Sequence, residues 1–124
     1  MLRGIILSLL MAGAAQAETP DGRWQVTALA ALALVEGDSV ELSLLDGHLS
    51  GSAGCNRFMA GYEAGEGLSI GPVASTRMLC QGRVAELEAA VLGTLSGITG
   101  WRRVEDALEL LSGETVALRA QPLP

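Results

Sequence analysis

Residues 39–53, SVELSLLDGHLSGSA, are the stretch on which the fold turns. Asp46-Gly47 stands between two runs of alternating apolar and polar residues, and Asp-Gly accommodates the positive backbone angles of a two-residue hairpin turn. The register follows from that turn. Leu45 opposite His48 places Leu44 against Leu49, Leu42 against Gly51 and Val40 against Ala53, with Ser43 against Ser50 and Glu41 against Ser52. One face is apolar and the other polar, so turn chemistry and side-chain period demand the same antiparallel hairpin.

Working outward, residues 23–29 (RWQVTAL) alternate Trp24, Val26 and Ala28 against Arg23, Gln25 and Thr27, the period of a half-buried strand. The apolar run in 30–37 is compatible with a strand extension or a turn of helix. On the C-terminal side, 61–71 is glycine-rich and predicts short strands at 61–63 and 68–70 around a turn at 65–67. From Arg83 the period changes to steps of three and four, through Val84, Leu87, Val91, Leu95 and Ile98. Glu86 and Glu88 fall in the first turn, where the helix dipole favours acids. Strands are expected again at 101–104, 108–111 and 115–120, with a three-residue loop 112–114 that would let Leu110 and Val116 face the same side. The tail 121–124 is expected to fray. The pattern predicts a mainly β (α+β) domain: a small antiparallel barrel-like sheet with one amphipathic helix late in the chain.

The first 17 residues carry Arg3, an apolar run from Ile5 to Ala12 and the small-x-small pattern Ala15-Gln16-Ala17. This is the pattern of a secretory signal cleaved after Ala17, and the run is well short of the roughly 20 apolar residues of a spanning helix. No cysteine follows the small residues, so the expected product is a single periplasmic or secreted domain, residues 18–124, without a lipid anchor. The 124-residue chain has a formal charge of -6 with eight Arg and no Lys; loss of Arg3 would leave 7 Arg against 14 acidic residues. Such a charge argues against nucleic acid, and an aromatic content of 3% leaves little for base stacking.

Cys55 and Cys80 are the only cysteines. An even count in an exported chain favours a bridge, which on chain-entropy grounds would stabilise by about 3.5 kcal/mol. His48 is the sole imidazole. A zinc site would need further ligands, and a thiol nucleophile with His48 as base has no spacing that brings the two together. The C-x-x-C spacing of a redox pair is also missing.

Around these cysteines the chain resembles the META domain, also called the HslJ-like domain. The resemblance rests on Gly54-Cys55-Asn56-Arg57-Phe58, Gly61-Tyr62, Leu68-Ser69-Ile70-Gly71, Ser75-Thr76-Arg77-Met78-Leu79-Cys80 and Glu86, and extends to Trp24, Trp101, Leu108 and Leu110. It implies a small exported or envelope-attached bacterial domain with one helix against a barrel-like sheet, associated with heat-shock response and novobiocin tolerance. It supplies no reaction, catalytic residue, cofactor or metal.

Asn56 at a strand end can bond neighbouring backbone groups, and Thr76 and Arg77 admit the same structural role. Arg77 can pair with Glu86, or form an anion-binding fork with Arg57. Phe58, Tyr62 and Met78 read as core or rim residues, and Trp24 and Trp101 as anchors of an aliphatic core. The expected function is that of a non-enzymatic envelope domain binding a partner protein or a small apolar ligand, the latter requiring a lipid-sized cavity between helix and sheet. The alternative is an inhibitor of a cationic envelope hydrolase such as lysozyme, to which an acidic barrel would be complementary.

Overall fold

The computed structural model describes residues 18–124; the expected signal segment lies outside the described residues. Within them the chain forms β1 (Gly22–Leu29), β2 (Glu41–Leu45), β3 (His48–Ser52), β4 (Arg57–Ala64), β5 (Leu68–Ile70), β6 (Ala74–Ser75), α1 (Arg83–Ser96), β7 (Gly100–Val104), β8 (Ala107–Ser112) and β9 (Thr115–Pro122). The strands join one antiparallel sheet in the order β5-β4-β3-β2-β1-β9-β8-β7, with β6 also on β4. Its two ends approach each other: the amide of Leu68 in β5 donates to the carbonyl of Thr99, next to β7, at 3.1 Å. The result is a nearly closed barrel-like sheet with α1 packed against it.

The β2–β3 hairpin has the register written out from its turn, pair for pair from Leu45 with His48 to Glu41 with Ser52. Asp46 and Gly47 both carry the positive φ that turn needs, 52° and 85°. Gly51 is required for a different reason. A Cβ there would lie 2.4 Å from the Glu41 carbonyl oxygen and 2.8 Å from the Phe58 ring, so Gly51 is where the Phe58 side chain crosses the sheet.

The other strands depart from the simple period at bulges. In β1 the pairing shifts between Val26 and Ala28, so Leu29, not Ala28, turns into the core after Trp24 and Val26. At the β8–β9 turn the loop has two residues, Gly113 and Glu114, instead of the expected three. The extra residue sits inside β9: Leu110 pairs with Leu118, whereas Val116 pairs with Leu111 and does not join Leu110 on the core face. Gly113, with φ 62°, makes the tighter turn possible. The expected strand 61–63 is the end of the longer β4, and residues 30–37 are neither strand nor helix. The tail is paired, not frayed: Gln121 and Pro122 lie opposite Gln25 and Trp24, and Leu123 donates to Arg23 at 2.9 Å.

The core is aliphatic around two large rings, Trp24 and Phe58, both buried. Helix α1 begins at Gly82 without a side-chain cap, so packing must hold it. Leu87, Val91 and Leu95 are each at most 1% exposed against the sheet, Val84 stays on the rim, and Ile98 is buried just beyond the helix. Trp101 is half-buried against this core and donates to the Gly65 carbonyl at 3.1 Å, tying β7 to the β4–β5 turn. Trp24 donates to Pro20 at 3.1 Å, and the Arg103 guanidinium lies 4.9 Å from its ring centre.

Candidate functional site

The motif residues converge at the barrel end where β3 hands over to β4. Gly54, with φ 110°, turns the chain into Cys55, and Cys55 is bridged to Cys80 with the Cα atoms 6.2 Å apart. Beside the bridge lies Asn56, 5% exposed, whose Nδ2 is 3.3 Å from Cys80 Sγ and whose Oδ1 and backbone amide are also bonded. Its backbone amide and its Nδ2 each donate to a different carboxylate oxygen of Glu88 in α1, both at 3.0 Å. Nδ2 also donates to the Met78 carbonyl at 3.3 Å. Oδ1 accepts from the Met78 amide at 2.7 Å and from the Thr76 hydroxyl at 2.9 Å. Thr76 in turn accepts from the Arg57 amide through its hydroxyl at 3.0 Å and donates its own amide to the Arg57 carbonyl at 2.9 Å. A buried amide satisfied in this way specifies one geometry, because each partner left alone would be desolvated without compensation.

The consequence is a fixed loop carrying apolar side chains into solvent. Leu79 is 87% exposed and Met78 59%. They rim an open cleft of about 520 Å³ that runs along residues 73–79 and is walled at one end by Asn56 and Glu88. On the other side of the disulfide, Val35 and Val84 are exposed over a second cleft, of about 330 Å³, between the 35–39 loop, Gly54 and the start of α1. Among the described residues, four of the six exposed large apolar side chains therefore flank this end of the barrel.

The expected pair between Arg77 and Glu86 is not formed. Glu86 lies 3.4 Å from Arg83, one helical turn away on its own element, and Arg83 is bonded to Asp38 and to the Ala33 carbonyl. Nor do Arg57 and Arg77 make a fork: Arg57 lines a groove with Arg23, Ser43 and Ser50, and Arg77 lines the Asn56 cleft. Among the described residues neither belongs to an ion pair. Phe58 is fully buried and Tyr62 8% exposed, as core residues, but Met78 belongs to the surface. Gly61 serves the sheet, its carbonyl accepting from the Gly71 amide at 2.9 Å.

The shifted ionisable groups are accounted for by ion pairs and burial. Hydrogen bonds from Arg83 hold Asp38 down to about 2, and the same contact raises Arg83. Glu109 is lowered, chiefly by its bond from Arg102, with Arg119 on its other oxygen. Burial, with a hydrogen bond to Asp21, pushes Tyr62 up to about 12. His48 lies exposed at the start of β3. Among the described residues no group of three or more His, Cys, Asp or Glu could hold a metal ion, and no helix is long and apolar enough to cross a membrane.

Two participants escaped sequence reading. The sequence places Glu88 in the first turn with Glu86, but the helix starts at Arg83 and puts Glu88 in the second turn, and nothing local says that it reaches back to Asn56. Leu79 stands in the motif between Met78 and Cys80, but that segment has no regular period from which its exposure could be read.

A family model described as META domain matches residues 16–122. No curated protein matches the chain. Among solved structures, an NMR structure of a protein from Burkholderia xenovorans is similar, with 26% identity, a TM-score of 0.61, and coverage of 86% of this chain and 88% of that one. A second NMR structure shares the fold at 20% identity and a TM-score of 0.62, over 84% of this chain and 95% of the other.

Proposed function

Because the chain belongs to the META domain family, we propose that it is a non-enzymatic exported domain that docks a partner protein at the disulfide-bridged end of its barrel. The observation that carries this reading is the Met78–Leu79 loop, whose apolar side chains are exposed while its backbone is pinned by Asn56 and Cys80. Exposed apolar side chains on an ordered loop lose little conformational entropy on binding, so their burial is available as affinity. A disulfide agrees with an oxidising compartment, which supports export. The perturbed groups Asp38 and Glu109 are engaged by arginines, an arrangement of structural ion pairs more than of a poised acid or base. A small apolar ligand between helix and sheet is less well supported, since Leu87, Val91 and Leu95 close that interface.

The test is a comparison of the protein with its Leu79→Ser variant as baits in envelope extract. A protein retained by the first, lost by the second, and bound again when purified would support the reading. Equal retention by both, or specific retention by neither, would reject it.

A further inference from the structure

Resting on the partner-binding reading of this end, we propose that the site takes an extended segment of the partner as an added strand on β6, with an acidic side chain of that segment at Arg77. β5 and β6 are two pieces of one strand broken at Pro72, where one extra residue enters opposite β4. β5 is used up in closing the barrel toward Thr99, but β6 pairs only with β4 among the described residues. Hydrogen bonding alternates along an antiparallel ladder. The Thr76 amide bonds the Arg57 carbonyl, so the next pair, Ser75 with Phe58, is a non-bonded one. The N–H and C=O of Ser75 therefore point away from β4, toward the outer edge.

That edge borders the cleft of about 520 Å³. An open sheet edge beside a cleft with apolar rims is the arrangement that recognises extended peptide: main-chain bonds supply register and alternate side chains supply specificity. Met78 and Leu79 offer the apolar contact. Arg77 supplies the charge: it is the one cation of the cleft and has no carboxylate partner among the described residues, whereas Glu88 has both oxygens bonded to Asn56. Charge also argues against a second copy of this chain as occupant, since two copies of the exported domain, each with 7 Arg against 14 acidic residues, repel. A local acid on an otherwise uncharged or basic partner fits the site better.

The experiment uses the protein with a set of acetylated, amidated heptapeptides of alternating valine and threonine, with or without one central aspartate. The aspartate peptides should bind, should slow hydrogen exchange at the Ser75 amide, and should weaken by about tenfold when the aspartate becomes asparagine or when Arg77 becomes Gln. Ser75→Pro removes the outward donor without removing a bond to β4, and should abolish binding. Should that variant fail to fold, a peptide N-methylated on alternate residues makes the same test on the unaltered protein. Undiminished binding of the N-methylated peptide, with sensitivity to Leu79→Ser, would overturn strand addition and leave the partner-binding reading standing. No binding by any peptide would overturn the inference, as would protection of Ser75 arising from a concentration-dependent dimer.

Discussion

Asn56, just ahead of β4, ties two other segments to it through its side chain and its own amide: the Thr76–Cys80 stretch and α1. Replacing it by alanine keeps the backbone bond to Glu88 Oε1 but takes the side-chain partner from Glu88 Oε2, the Met78 amide and the Thr76 hydroxyl. We expect Asn56→Ala to cost about 3 kcal/mol in urea unfolding and to speed exchange of the Met78 amide. Tyr62 is the only tyrosine, so its ionisation can be read directly from tyrosinate absorbance. In the folded protein it should titrate near 12, above its ordinary 10.0. A folded value above the unfolded one means that the neutral form is favoured in the fold; the stabilisation is complete below pH 10 and is lost as pH rises toward 12. Asp21→Asn should lower the titration point only in part, because burial contributes more than the hydrogen bond. At this scale Asn56 and Thr76, residues whose side chains can bond neighbouring backbone groups, bond the Met78 carbonyl and amide and the Arg57 amide. It misjudged Arg77, because the residue that pairs with Glu86 was decided by helical proximity of Arg83, a contact that competes at shorter chain distance.

Among elements, the β2–β3 hairpin was legible in five of its six expected pairs because its turn and its alternation are both local; the ladder stops before the sixth, Val40 with Ala53. The β8–β9 hairpin was not, because its extra residue can sit in the loop or in the strand with the same side-chain pattern on either side. β1 pairs the far edge of β9 and carries a register shift of its own near the same place, information that lies about 90 residues away in the sequence. The 73–80 segment has no period at all; it is held by Asn56 and by the bridge to Cys55. Replacing both cysteines by serine should therefore lower unfolding free energy by about 3.5 kcal/mol. The same pair of substitutions should leave the β2–β3 amides protected from exchange and deprotect the Met78 amide first, which hydrogen exchange can measure.

For the whole molecule, the first and last strands of the described residues pair with each other, since β1 lies between β2 and β9. Removing residues 121–124 deletes the pairs of Gln121 and Pro122 with Gln25 and Trp24 and the bond from Leu123 to Arg23. This should cost about 2 kcal/mol, seen as a lower urea midpoint with unchanged cooperativity. Taken by itself, the sequence determined the hairpin register, the helix and its buried stripe, the aliphatic core and the family, because those depend on neighbours a few residues apart or on motifs written in order. Only the tertiary structure decided the barrel closure, the bulges, the reach of Glu88 to Asn56 and the exposure of Met78 and Leu79. Each of these depends on distant segments competing for the same hydrogen bonds and the same buried space, and no local period records which of them wins.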